Sequence, residues 1–136
     1  MNRPLVLAEW QRARLSLLGA QLLTRNGVYP DAVSRAYYAV LHAAKAALQT
    51  QDIGAASHSA VKRLFGLHLV KTGQIEPEWS ADLVESLDDR LAADYDAELR
   101  ITQREAREKY RRAVAFVKRV RKYLLAQGLS RAELEK

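Results

Sequence analysis

Residues 34–48 read Ser34-Arg35-Ala36-Tyr37-Tyr38-Ala39-Val40-Leu41-His42-Ala43-Ala44-Lys45-Ala46-Ala47-Leu48. Turned at about 100° per residue, the segment Asp31–Thr50 sorts into three faces. Val33, Tyr37, Val40, Leu41, Ala44 and Leu48 make an apolar stripe that belongs against a core. Ala36, Ala39, Ala43, Ala46 and Ala47 make a second face, whose small side chains let another helix approach closely. Arg35, Tyr38, His42, Lys45 and Gln49 fall on the third, three or four residues apart. A helical period held this long, with neither Gly nor Pro after Asp31, specifies a helix and sets the class of the fold.

The period continues on both sides. Leu7, Trp10, Leu15, Leu18 and Leu22 recur at helical spacing, predicting a first helix over about residues 5–24 that Asn26-Gly27 ends. Pro30 and Asp31 suit the first turn of the second helix, which runs to about Thr50. Ser57 can cap a third helix over about 58–71, stopped by Lys71-Thr72-Gly73. Pro77-Glu78-Trp79-Ser80 turns into an acidic fourth helix ending near Tyr95. Thr102-x-x-Glu105 has capping-box spacing at the start of a fifth helix that reaches Gln127, with Gly128 beyond it, and Ser130-x-x-Glu133 repeats the pattern before a short tail helix.

The predicted architecture is all-α: an antiparallel up-down helical bundle of four long helices plus a shorter one. Residues 1–136 read as one domain with a core over about 5–127 and a tail over 128–136, since no repeat or low-complexity linker divides them. Composition agrees. Ala (22) and Leu (20) dominate the apolar set and Ile contributes three, a poor supply for β-structure. With no cysteine there is no disulfide, thiolate metal site or thiol nucleophile, and only His42, His58 and His68 remain as imidazole ligands. No metal and no cofactor is expected. No run approaches the roughly 18 apolar residues of a membrane span, and Leu5–Ala8 is too short for a signal core, so a cytoplasmic protein without membrane contact is expected.

The net charge of +6 permits nucleic acid, an acidic partner or simple solubility. Its distribution is uneven. Residues 76–98 hold nine acids and one base, Arg90, while residues 100–122 hold ten bases and two acids. Sequence neighbours joined by a short loop tend to pack together, so the two blocks are expected to lie side by side and partly neutralise one another. The surplus charge then lies elsewhere, and within it the second helix places Arg35, His42 and Lys45 on one line.

On that face Arg35 would grip a phosphate through its fork of donors, Lys45 would add a point charge, Tyr38 could stack on a base and His42 could move a proton. The alternative account is a solvated stripe, which every bundle helix has, with Tyr38 and His42 bordering the core. Arg35 and His42 are seven apart, two helical turns, and share a face. His58 sits in the first turn of the third helix, where an anion is favoured, and is a further candidate for phosphate binding. His68 follows Arg63 by five, a spacing that turns the two apart unless the helix loosens at Gly66. The sequence carries no Gly-rich phosphate loop, no HExxH and no GxSxG. Tyr110, Phe116 and Tyr123 on the basic fifth helix fall on or beside its apolar side with Ala113, Val117, Val120 and Leu124, as core rather than as a stacking platform.

The second-helix string resembles the signature of a prokaryotic branch of the HEPN domain (higher eukaryotes and prokaryotes nucleotide-binding). Ser57-His58-Ser59-Ala60-Val61 through Leu64-Phe65-Gly66-Leu67-His68-Leu69-Val70-Lys71-Thr72-Gly73, and Arg90-x-x-Ala93-Asp94-Tyr95, are similar to two further motifs of the family. The resemblance spans roughly residues 7–126. It implies a helical bundle, usually a homodimer, often encoded beside a minimal nucleotidyltransferase. In that pairing the HEPN member is a toxin, a metal-independent endoribonuclease, and the nucleotidyltransferase its antitoxin. The family's ribonuclease signature is Arg, four to six residues, then His, a count met by Arg35 with His42 and by Arg63 with His68.

Three functions are consistent with these residues. The first is a module that binds a nucleotide or a nucleotidyltransferase partner through Arg35, Tyr38, Lys45 and His58. The second is a toxin-type ribonuclease with Arg35 and His42 as catalytic residues and RNA as substrate, its subunits meeting across the alanine-lined and Arg35/His42 faces. The third is a non-catalytic dimeric scaffold.

Overall fold

The computed structural model describes residues 1–136 and contains helices and loops only. In chain order the elements are α1 (Arg3–Arg25), α2 (Tyr29–Gln49), α3 (His58–Phe65), a π-helical turn (Gly66–Val70), α4 (Pro77–Tyr95), α5 (Gln103–Ala126) and α6 (Arg131–Glu135). Cap chemistry sets most of the boundaries. The Asn2 side chain accepts from the Leu5 amide, so α1 begins two residues before the leucine pattern does. Ser57 and Thr102 cap α3 and α5 in the same way. At Thr102-x-x-Glu105 only half of the box forms, because the Glu105 carboxylate takes the Thr102 hydroxyl at 3.0 Å. At Ser130-x-x-Glu133 both halves are made. Gly27, Gly73 and Gly128 follow α1, the π turn and α5 with φ of +78°, +79° and +100°, the left-handed geometry that ends a helix.

α2 is the centre of the bundle and packs against α1, α4 and α5. Between residues 32 and 48 only Arg35, Tyr38, His42 and Lys45 escape burial. The apolar and alanine faces are therefore both inside one chain. This corrects the expectation that the alanine face meets a second subunit: Ala36, Ala39, Ala43, Ala46 and Ala47 are already covered.

The face of α1 that meets the core also differs from the leucine pattern. α1 buries Val6, Trp10, Ala13, Ser16, Ala20 and Thr24, and turns Leu15, Leu18 and Leu22 outward, Leu15 being 63% exposed. The reason is steric. The flat alanine face of α2 brings the α1 axis close, and Ala13, Ser16 and Ala20 fit that gap where leucines would hold the helices apart. The buried Thr24 hydroxyl is satisfied within its own helix, donating to the Ala20 carbonyl at 2.7 Å.

The C-terminal segment is docked. Leu129 and Leu134 are buried, and the Leu134 carbonyl accepts from Trp10 Nε1 at 2.8 Å and from Arg14 Nη1 at 2.9 Å. Arg3 pairs with Glu133 at 3.1 Å beside them.

The acidic α4 and basic α5 are bridged by long side chains. Arg112 reaches Asp82 at 2.8 Å and also bonds Glu85, Lys109 reaches Glu85 at 3.3 Å and Asp89 at 3.1 Å, and Arg119 reaches Glu76 at 2.7 Å. The hydrogen bond from Arg112 holds the Glu85 carboxyl at about 2. The neutralisation is partial, as expected. Arg100, Arg104, Arg107, Arg111, Lys118 and Lys122 are exposed and make no ion pair, so the two blocks cancel by count but not in space. No helix is long and apolar enough to cross a membrane.

The close α1–α2 approach makes a direct prediction. Ala43 is fully buried, so Ala43→Leu overpacks the centre of the bundle. Urea titration should show a loss of about 1–3 kcal/mol of unfolding free energy. An unchanged midpoint would mean that α2 has room the structure does not show.

Candidate functional site

The strip of α2 left uncovered is met from three sides. From α1, Glu9 reaches across the small-residue contact, with Oε2 2.7 Å from His42 Nδ1 and Oε1 3.6 Å from Lys45 Nζ. Burial pushes the Glu9 carboxyl up, but the His42 hydrogen bond and the Lys45 charge outweigh it and hold the group below its usual range. An ionised carboxylate can only accept. His42 therefore presents its N–H at Nδ1 and, when neutral, keeps a free lone pair at Nε2.

Further along the strip, the Tyr38 ring lies stacked 6.4 Å from the His42 ring and carries the Arg35 guanidinium 5.4 Å from its centroid. α1 supports Arg35 through Gly19, where even a methyl group would stand 3.6 Å from the arginine's Cγ and Cδ. Arg35, Tyr38, His42 and Lys45 thus form one continuous row, as the helical wheel predicts. Arg35 is exposed and has no carboxylate partner.

From α4, Arg90 donates through Nη2 to the Tyr38 hydroxyl at 3.1 Å and pairs with Asp94 at 2.8 Å. Its guanidinium also lies 5.5 Å from the Tyr38 ring centre and 5.9 Å from that of Tyr37. Asp94 accepts in turn from the buried Ser34 hydroxyl of α2. Leu23, Asp31, Ser34, Arg35, Tyr38 and Asp94 together line an open cleft.

The third side is the start of α3. The His58 ring is 5.4 Å from that of Tyr37. Burial and then the nearby charges of Arg90 and Lys45 lower its pKa, which favours the neutral ring at neutral pH. His58 thus borders the same row, behind Tyr37. Arg63 and His68 fare differently. The helix does loosen at Gly66, where the π turn begins, but no hydrogen bond or ion pair joins the two side chains. The widened turn instead frees the His68 carbonyl, which accepts from Thr72 at 2.7 Å, Gln74 at 3.2 Å and Gln51 at 3.4 Å.

Sequence reasoning does not place Glu9 or Arg90 in the site. Glu9 gives no local signal, because its role depends on how near α1 comes. Arg90 does stand out, as the single base of the acidic block. No group of three or more His, Asp or Glu side chains converges as metal ligands. The arrangement can hold anionic groups on Arg35 and Lys45, present a flat ring at Tyr38 and exchange a proton at His42 Nε2.

The residues matched in comparison with known proteins include the whole row, from Glu9 to Asp94. The family model described as HEPN domain matches residues 7–126. A protein of Methanocaldococcus jannaschii named "Putative toxin" is 38% identical over 112 residues, 82% of this chain and 83% of the relative. A second "Putative toxin" from the same organism is 31% identical over 90% of this chain and 84% of its own length. A UPF0332 protein of Pyrococcus horikoshii is 46% identical over 54% of this chain and 52% of its own.

The Glu9 clasp is testable apart from any activity. In a carboxyl chemical-shift titration Glu9 should titrate below the usual 4.5. In a His42→Ala, Lys45→Gln variant, burial acts alone and the same carboxyl should titrate above that value. A Glu9 carboxyl that ignores both substitutions would show that α1 does not clasp the row.

Proposed function

The chain belongs to the HEPN domain family, and from that premise we propose that it is a toxin-type endoribonuclease that cuts RNA without a metal ion. The observation that carries this reading is the Glu9–His42 hydrogen bond at 2.7 Å on the same row as Arg35 and Lys45. A carboxylate that orients an imidazole and leaves its second nitrogen free is the arrangement that general base catalysis needs. His42 Nε2 takes the proton of a ribose 2′-hydroxyl as that oxygen bonds to the adjacent phosphorus. Arg35 and Lys45 stabilise the charge on the phosphorane. The bond from phosphorus to the 5′ oxygen then breaks, and this oxygen takes the proton back from the His42 imidazolium. The products are a 2′,3′-cyclic phosphate and a 5′-hydroxyl end. Tyr38 positions the base beside the scissile phosphate, and His58 contributes a neutral hydrogen-bonding ring.

In this reading residues 5–127 work as one domain, and the active species is a homodimer. Leu15, Leu18 and Leu22 supply its interface in place of the alanine face, since they form an uncovered apolar strip on α1 beside the Gly19–Arg35 contact. Two rows of Arg35, Tyr38 and His42 would then flank one two-fold axis.

The second reading is a module that binds a nucleotide or a nucleotidyltransferase antitoxin. It is favoured by the self-compensation of the row, in which Glu9 already answers Lys45 and Asp94 already answers Arg90.

Incubation with RNA in excess chelator separates the two. A ribonuclease should yield cyclic-phosphate ends, and His42→Ala should lower the rate by about 100-fold or more, with Arg35→Ala comparably damaging. Cleavage that needs a divalent ion, or that survives His42→Ala, would sink the catalytic reading. RNA binding by the parent chain with no cleavage would establish the module. For the interface, Leu18→Asp should convert the dimer to a folded monomer in sedimentation, and a monomeric parent chain would dispose of it.

A further inference from the structure

The ion pairs between α4 and α5 occupy only one side of α5. Lys109, Arg112 and Arg119 turn toward α4, and Arg121 pairs with Glu135 of the docked tail. Arg104, Arg107, Arg111, Lys118 and Lys122 remain, all exposed and all without a carboxylate partner. At about 100° per residue these five fall within roughly 60° of one another, in a line about 27 Å long at 1.5 Å per residue. Ala115 continues the line, and Glu108 flanks it as a single acid.

At one end the line meets α1. Arg107 and Arg25 line a common cleft with Gln21, Thr24 and Tyr110, and no carboxylate contributes to it. Two arginines facing one cleft without a counter-charge repel unless an anion lies between them. Arg25 belongs to the last turn of α1, and Leu23 of that same turn lines the cleft of Arg35 and Tyr38. The cationic line and the α2 row therefore approach each other across the end of α1.

We propose that this ridge, Arg104, Arg107, Arg111, Lys118 and Lys122 with Arg25, is a track for the phosphate backbone of single-stranded RNA, leading toward the Arg35/Tyr38 cleft. The proposal deepens the reading of RNA as substrate and rests on it. Phosphate backbone suits the ridge because the cations repeat along a straight line with a single acid, Glu108, beside them. Phe116 and Tyr123 of α5 are buried and Tyr110 reaches only the Arg25/Arg107 cleft at one end, so the line of cations itself offers no platform on which bases could stack. Recognition by such a line reads charge spacing and not sequence, with the salt dependence that counterion release imposes.

The probe is a fluorescein-labelled 2′-O-methyl oligouridine longer than the ridge, which has no 2′-hydroxyl to attack and so cannot be cut by the proposed chemistry. Its anisotropy is followed with the full chain across a salt series. With log K falling by about 0.7 per phosphate contact and decade of salt, the Arg104→Gln, Arg111→Gln, Lys118→Gln variant should weaken binding about 100-fold at 0.1 M salt and reduce the slope by about 2. Because none of these side chains makes a hydrogen bond, the variant should keep the parent's thermal unfolding, and Arg111→Gln alone should reduce the slope by about 0.7.

A matched variant, Lys62→Gln, Lys71→Gln, Arg131→Gln, removes the same charge away from the ridge and should bind nearly as the parent does. Equal losses in the two variants would overturn the proposal, since net charge alone would then explain binding. So would unchanged affinity in the ridge variant. Equal affinity for a poly-glutamate peptide, lost in the same variant, would assign the face to an acidic protein segment and overturn it too. His42→Ala should leave this binding intact, so a failed track and a failed catalytic reading give different results.

Discussion

α2 is enclosed on every side but one, and the enclosure depends on how closely α1 can lie against it. Alanines on α2 and the small residues Ala13, Ser16 and Ala20 on α1 remove the bulk that would separate the two axes. Burying so much α2 surface supplies the hydrophobic free energy of the bundle, at about 25 cal/mol per Å² of apolar area. The same closeness sets up the polar row. Only because the two backbones are near can the short Glu9 side chain span from α1 to both His42 and Lys45. Packing and site geometry thus share one cause, and a change that widened the gap would loosen both.

The charges follow a second rule, that carboxylates go where they hold a helix in place. α4 has a single fully buried residue, Leu83, and its long bridges to α5 compensate for a thin apolar seam. Its one arginine points the other way and joins the row on α2. Arg90 therefore links the least buried helix to the most buried one, through Tyr38, Asp94 and Ser34. With Asp82, Glu85 and Asp89 of α4 and Glu135 of α6 engaged on two sides of α5, the remaining bases face water unanswered.

Much of this was legible in the residues. The period of residues 31–50 sorted α2 into faces that match the burial pattern position by position, and the Ser57, Thr102 and Ser130 caps marked helix starts to within a residue. Local chemistry governs these features. The outward turn of Leu15, Leu18 and Leu22 was not legible, because leucine at helical spacing reads as core until the partner face is known to be alanine. Glu9 was hidden for the same reason. The fate of the nine α5 bases required knowing which side of the helix each occupies relative to α4. The π turn at Gly66–Val70 was legible only as a place where the Arg63–His68 spacing would require loosening.

The docked tail has a kinetic side. Trp10 and Arg14 both give hydrogen bonds to a carbonyl more than a hundred residues downstream, at Leu134. Contacts this distant along the chain form late, because the loop they close must first lose its conformational freedom. On the ribosome, α1 and α2 could pair early through their small residues, yet the indole of Trp10 would keep an unmet donor until residue 134 emerged. Docking of α6 is in this way a late step in completing the bundle. Until then the nascent chain exposes the apolar ground that Leu129 and Leu134 later cover.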